Sequence, residues 1–261
     1  MFIDSHAHLD LPELLADLEG VLSRARESGV IRILTIACAG AVAENLSKVG
    51  ALAQQHEEVY AAMGVHPHDA QHFSEELGEQ ILHWMDAPKV LGWGEIGLDF
   101  FYDNSPRDAQ LSAFRRQLQL ARAARKPVII HSREAANDTC RILEEEFSAP
   151  DCPGGVMHCF TYDQSIARRC LDLGFYLAFG GMITFPRSEP LREIARTVPL
   201  DRFLIETDSP YLAPVPFRGQ RNEPAHVREV AEKLAQVRAT TCQAIGARSS
   251  ENFCRLFSCP M

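Results

Sequence analysis

Two histidines, His6 and His8, end the apolar start of the chain in FIDSHAHLD, residues 2–10, with a single residue between them. In an extended strand alternate side chains share a face, so both imidazoles point the same way and can grip one metal ion. Phe2 and Ile3 ahead of them belong to a core strand and not to an expression tag. H-x-H alone is a short pattern that arises by chance, so a metal site needs donors from elsewhere in the chain.

Those donors recur at the ends of apolar segments. Short β-branched runs alternate with helical patterns, which is the signature of βα units and a parallel sheet. Eight strands are expected: FIDSH (2–6), IRILTIA (31–37), VYAAMGVH (59–66), KVLGWGEIGLD (89–99), PVIIHS (127–132), GGVMHC (154–159), FYLAFGG (175–181) and RFLIETD (202–208). Their C-terminal ends carry His6 and His8, His66, Glu95, His131, His158 and Asp208. The spacing also predicts a helix after the fourth strand, begun by Pro106 and presenting Leu111, Phe114, Leu118 and Ala121 on one face. With no repeat, low-complexity tract or linker, residues 1–261 are expected to form one α/β domain, a (β/α)8 TIM barrel with its metal site at the C-terminal ends of the strands. An open doubly wound sheet would spread the same residues along a line instead of gathering them at one mouth.

Each donor taken singly has a plain structural explanation. A histidine after an apolar strand is commonly a hydrogen-bonded strand end, Glu95 could pair with an arginine, and Asp208 in ETDSP could cap a turn or helix. Six strand ends that carry such residues point to metal. Leaving His66 aside, four histidines and two carboxylates exceed one closed tetrahedral site, whereas two adjacent ions sharing a carboxylate would use them all and leave positions open for water. Imidazoles suit Zn, Mn, Fe, Co or Ni, and Mg leans more on carboxylate and water; the two divalent ions are left open among Mg, Mn and Zn.

Composition sets the outer bounds. The chain has 261 residues, 46% hydrophobic and 23% charged, as ordinary globular proteins do. No apolar run is long enough to span a bilayer, and no basic region followed by an apolar one suggests a secretory signal, so a cytoplasmic protein is expected. The eight cysteines (Cys38, Cys140, Cys152, Cys159, Cys170, Cys242, Cys254 and Cys259) form no C-x-x-C pair and are expected to be reduced. A net charge of −9 disfavours coating of nucleic acid by a basic face, so a phosphate substrate must be met by local cations or by metal.

FIDSHAHLD, GVHPH, GEIGLD, PVIIHSREA, HCF and ETDSPYL, in this order, resemble the TatD family of metal-dependent deoxyribonucleases, within the amidohydrolase-like barrels. The resemblance runs from residue 2 to the NF-x-x-LF ending at Asn252 to Phe257 and is closest to the bacterial cytoplasmic members. It implies that His6, His8 and Asp208 hold one ion, that His131 and His158 hold a second, and that Glu95 bridges both. Many amidohydrolase-like barrels bridge their metals with a carboxylated lysine at the fourth strand; Glu95 stands there instead, which favours the TatD branch. Family members commonly place an acidic residue six positions after the strand-five histidine; this chain has Asn137 there, followed by Asp138, and a packing difference is expected.

The resemblance further implies hydrolysis of phosphodiester bonds in DNA, with Asp208 and Glu95 as catalytic residues, 3′ to 5′ exonuclease polarity and a phosphate contact from His66. His68 in the same motif is expected to be a loop residue. Arg133 and Arg221, after strands five and eight, could hold a phosphodiester bidentately, the alternative for each being a surface ion pair. A negatively charged protein suits single-stranded DNA, drawn into a narrow mouth. Phe100, Phe101, Tyr102 and Phe160 could stack bases there or cap the barrel core. No membrane or obligate protein partner is expected, and the chain is read as a monomer. The same activated water could also serve an ester or amide hydrolase such as a D-aminoacyl-tRNA deacylase.

Overall fold

The computed structural model describes residues 1–37, 42–149 and 151–260, with backbone alone at 42 and 43. Cys38 falls outside them; none of the seven described cysteines is in a disulfide. Eight parallel strands form one sheet in chain order: β1 (Phe2–Ala7), β2 (Val30–Ala37), β3 (Val59–Met63), β4 (Val90–Asp99), β5 (Val128–Arg133), β6 (Gly155–Met157), β7 (Tyr176–Phe179) and β8 (Phe203–Ile205). Between and after them run α1 (Pro12–Leu15), α2 (Leu18–Glu27), α3 (Val42–Gln55), α4 (Glu75–Trp84), α5 (Arg107–Ala123), α6 (Ala136–Glu146), α7 (Gln164–Asp172), α8 (Glu189–Thr197), α9 (Val227–Val237) and α10 (Cys242–Leu256). This is the expected (β/α)8 barrel. Among the described residues no helix is long and apolar enough to cross a membrane.

Two apolar layers follow from the two faces of each strand. Ile3, Leu34, Ile36, Ala62, Ile129, Val156, Tyr176, Ala178 and Leu204 face inward and meet Phe253, Leu256 and Phe257 from the chain's end. Ile33, Met63, Ile130, Leu177, Phe179 and Ile205 face outward against the helices. Continuing the inward rows by steps of two reaches His131 from Ile129, His158 from Val156, and Glu206 and Asp208 from Leu204.

Several strands stop earlier than expected. β6 and β8 cannot continue through Cys159 and Asp208, whose φ values of 45° and 56° lie in the left-handed region and end the extended backbone. After β3 and β7 the chain tightens into 3-10 turns at Pro67–His72 and Gly181–Thr184. His66, His158 and Asp208 therefore sit just beyond their strands. The barrel closes there as well. Asp208 donates its backbone N–H to the His6 carbonyl at 2.9 Å, and His8 donates to the Ser209 carbonyl at 2.8 Å. Below that seam the buried Asp4 carboxylate accepts from the Thr207 hydroxyl at 2.6 Å and from its backbone N–H at 2.8 Å.

β4 carries the decisive irregularity. Against β5 it pairs Trp93 with Val128 and then Ile96 with Ile130, three steps against two, which is a bulge. Trp93 and Ile96 both pack outward, and the bulge turns Glu95 to the inside. Gly94 permits it, because a Cβ there would lie 2.7 Å from Ile129 Cβ.

α5 holds the loops of this end. Its buried face presents Phe114, Leu118 and Ala121, with Leu111 partly buried beside them, as expected; Pro106 stands one residue before the helix. The same face carries two buried glutamines seven residues apart. Gln110 Oε1 accepts from Asp99 N–H at 2.8 Å, and Gln117 Oε1 accepts from Val65 N–H at 2.8 Å and Trp93 Nε1 at 3.2 Å while its Nε2 donates to the Val65 carbonyl at 3.0 Å. Gln117→Leu leaves three buried polar groups unpaired. Each costs about 1–3 kcal/mol, so a thermal midpoint about 10 °C lower is expected by calorimetry, together with loss of metal affinity through the adjacent His66. A shift below about 2 °C would show that Gln117 does not anchor this loop.

Candidate metal centre

Glu95 lies at the bottom of the mouth, 2% exposed. Its two oxygens face different donors. Oε2 is 3.3 Å from His6 Nε2, while Oε1 is 2.7 Å from His131 Nδ1, 3.5 Å from His158 Nε2 and 3.7 Å from His66 Nε2. Asp208 Oδ1 lies 3.3 Å from His8 Nε2 and 3.9 Å from His6 Nε2. The His6 and His158 rings stack at 3.6 Å between centroids. β1 supplies His6 and the residue after it His8, β5 supplies His131, and the loops after β3, β6 and β8 supply His66, His158 and Asp208.

Ligand atoms fall within 4.8 Å of one another in four groups: His6, Glu95 and His158; His6, His8 and Asp208; His66, Glu95 and His131; and His158, Cys159 and Asp208. All six residues expected to bind metal belong to one or more of these. The grouping differs from the expected division in one respect, since His158 stands with His6 while His131 stands with His66. His66 thus sits among the candidate ligands while also lining the cavity at the mouth.

Electrostatics favours ligation. Burial opposes the charge on Glu95, but His158, His6 and the hydrogen bond from His131 outweigh it and hold the carboxyl well below its usual range. Burial likewise opposes Asp208, and His8, His158 and His6 keep it ionised. Burial and the neighbouring His158 push His6 down, and burial with His131 pushes His66 further down, leaving both as the neutral imidazoles that coordinate metal. His6 Nδ1 and Nε2 and His158 Nδ1 are buried without a hydrogen-bond partner among the described residues; the carboxylates beside His6 Nε2 and His158 Nδ1 lie within ion-pair distance but outside hydrogen-bond geometry. Buried polar atoms are ordinarily paired, and this donor set fits divalent ions.

Two further carboxylates orient the histidines. Asp99 Oδ2 is 3.2 Å from His131 Nε2 and 2.9 Å from His68 Nε2, and Glu206 Oε1 is 3.1 Å from His158 Nδ1 while accepting the Cys159 N–H at 2.7 Å. Against the effect of burial, Asp99 and Glu95 raise the His131 imidazole, and Glu206 and Glu95 push His158 up to about 10. Such carboxylates fix ring orientation and raise ligand basicity. The alternation that links His6 to His8 would have found both, because Asp99 lies four residues beyond Glu95 and Glu206 two before Asp208.

The remaining expectations divide. Arg133 lines the mouth, whereas Arg221 does not reach it: its guanidinium donates to the Glu13 carbonyl at 2.8 Å and pairs with Glu223 at 3.3 Å and Asp17 at 3.5 Å. The surface ion pair replaces the phosphate contact expected of Arg221, because acidic partners within reach take up the charge. Phe101 and Tyr102 are exposed at the rim; Phe160 is in the core and Phe100 packs partly buried against it. His68 lines the cavity through its bond to Asp99. Asn137, on α6, accepts from Arg169 on α7 at 3.2 Å, a helix–helix contact. Asp208 keeps its carboxylate on the histidines and its carbonyl for a turn bond from Tyr211 N–H, 2.9 Å.

The TatD related DNase profile matches residues 3–258. Among curated relatives, the metal-dependent hydrolase YabD of Bacillus subtilis is 41% identical over 98% of this chain and 99% of its own. The 3′-5′ ssDNA/RNA exonuclease TatD of Enterobacter lignolyticus is 32% identical over 99% of each. The crystal structure of YjjV, a TatD homologue from Escherichia coli, superposes with a TM-score of 0.91 at 34% identity, covering 99% of this chain and 98% of that one. The chain belongs to the TatD related DNase family of metal-dependent hydrolases.

Proposed function

We propose that the protein hydrolyses phosphodiester bonds of single-stranded DNA from the 3′ end, with His6, His8, Glu95, His131, His158 and Asp208 holding two divalent ions and Glu95 bridging them. The observation that carries this reading is the buried Glu95 carboxylate, whose Oε2 faces His6 and whose Oε1 faces His66, His131 and His158. Substrate and polarity draw support from the 3′-5′ ssDNA/RNA exonuclease at 32% identity. The strand class also suits a protein of net charge −9, which lacks the excess of basic groups that grips duplex DNA.

Divalent ions bound here would polarise a phosphoryl oxygen and lower the pKa of the attacking water. The chain's own residues do the rest. Asp208, kept ionised by its three histidine neighbours, orients the water and takes its proton. Arg133, at the mouth, offers a guanidinium to a non-bridging phosphate oxygen. Asp99 and Glu206 keep His131 and His158 in ligating orientation.

Glu95→Ala removes the carboxylate common to both sets of donors. Bound metal measured by elemental analysis is expected to fall from two ions to one or none, and turnover of a single-stranded oligonucleotide to fall further than in any single histidine variant. Retention of two ions at near wild-type rate would sink the bridging role. Asp208→Asn preserves size and the left-handed backbone, which asparagine tolerates. Its rate is expected to fall by a factor on the order of 10² with the thermal midpoint nearly unchanged, measured at saturating metal; a folded variant at wild-type rate would refute the role of Asp208.

A further inference from the structure

The metal centre opens onto two adjoining cavities of about 490 Å³ each. One is lined by His66, His68, Tyr102 and Tyr211, the other by Phe101, Cys159, Thr161, Tyr162 and Met182. They share His131, Arg133, His158, Asp208 and Leu212. A substrate that fills both therefore places its middle over the candidate ligands. Volumes of this order suit small-ligand sites.

The rim between the cavities is aromatic and cationic. Phe101 is 52% exposed and Tyr102 54%, with their rings nearly perpendicular at 4.9 Å. The Arg133 guanidinium lies 4.1 Å from the first ring centre and 4.6 Å from the second. Arg133 makes no ion pair among the described residues, unlike Arg221 and Arg24. The turn is held rigidly in spite of its exposed rings, since Asp99 Oδ1 accepts the N–H of Phe101 at 3.0 Å and of Tyr102 at 2.9 Å. Asp99 also contacts His131, so one carboxylate sets the rim and a candidate ligand together. Exposed aromatic rings cost a protein solubility, and two preorganised beside a guanidinium that makes no ion pair form a stacking platform for unpaired bases.

We propose that the two cavities seat the two consecutive nucleotides flanking the scissile phosphate of an unpaired strand, with Phe101 and Tyr102 as stacking faces and Arg133 on the ridge between them. This rests on the phosphodiesterase reading above. Base stacking then selects unpaired strands, because bases in a duplex have their faces covered, and it does so without choosing among sequences.

The test compares an end-labelled single strand with the same strand made abasic at its last two 3′ nucleotides, using metal-loaded wild type and Phe101→Ala/Tyr102→Ala. In the wild type the abasic strand is expected to show a KM about a hundredfold higher with kcat changed little, the order that two stacked bases supply. In the double variant the KM for the intact strand rises to that of the abasic one. A 2-aminopurine base at either terminal position should be quenched on binding to the wild type and not to the variant, and a matching thermal midpoint checks that the variant is folded. Equal KM values in the wild type, or full discrimination and quenching in the variant, would overturn the platform. Failure of the wild type to cleave either strand while it hydrolyses other esters would instead overturn the phosphodiesterase reading, and the platform with it.

Discussion

A carboxylate removed from water stays ionised only if its surroundings supply what water no longer does. Glu95 is in that position, and much of the mouth follows from it. Burial alone would protonate it; of the four imidazoles within 3.7 Å of its oxygens, those of His158, His6 and His131 reverse the outcome. Those imidazoles come from four different strands or strand ends, so their convergence needs a closed barrel. The barrel in turn closes through the backbone of His6 and Asp208, which are themselves candidate ligands. Loosening the seam would move ligands, and removing the ligands would leave the seam carrying unpaired buried charge.

The surroundings of the imidazoles continue the pattern outward. His131 lies between Glu95 and Asp99, and His158 between Glu95 and Glu206. Carboxylate and imidazole alternate, so each ring is held from both sides. Together with Asp208, four carboxylates surround this small volume, an excess of negative charge that divalent cations balance. Gln110 on α5 fixes the Asp99 backbone, and Gln117 fixes the residue before His66. The helix therefore governs two walls of the centre without touching it.

Much of this was legible in the sequence because strand geometry is periodic. Six of the eight apolar runs carried a ligand-type residue at their C-terminal end, and alternation alone aligned His6 with His8. The bulge in β4 was not legible, since it is a departure from that period, visible only in the register against β5. The glutamines of α5 resembled polar surface positions, and only the neighbouring loops show that they are buried. Arg221 was misplaced because a long side chain after β8 can turn either way; of its two acidic partners Glu223 is two residues on, but Asp17 is remote in sequence. Phe100 and Phe101 went to opposite environments because the turn after β4 has no repeat from which a facing could be read.

Under the proposed activity, the arrangement would also account for how a protein of net charge −9 accepts a polyanion. Long-range attraction is not available to it, and most of its arginines are paired with acids on the surface. Affinity for the proposed substrate would then come from short-range terms that act after contact: metal at the floor, Arg133 on the ridge and ring faces at the rim. Such terms reward a strand that can bend and unstack into a mouth and give little to a stiff duplex lying across it. On that reading the negative exterior would act together with the aromatic rim, since repulsion weakens binding everywhere except where the local contacts can be made.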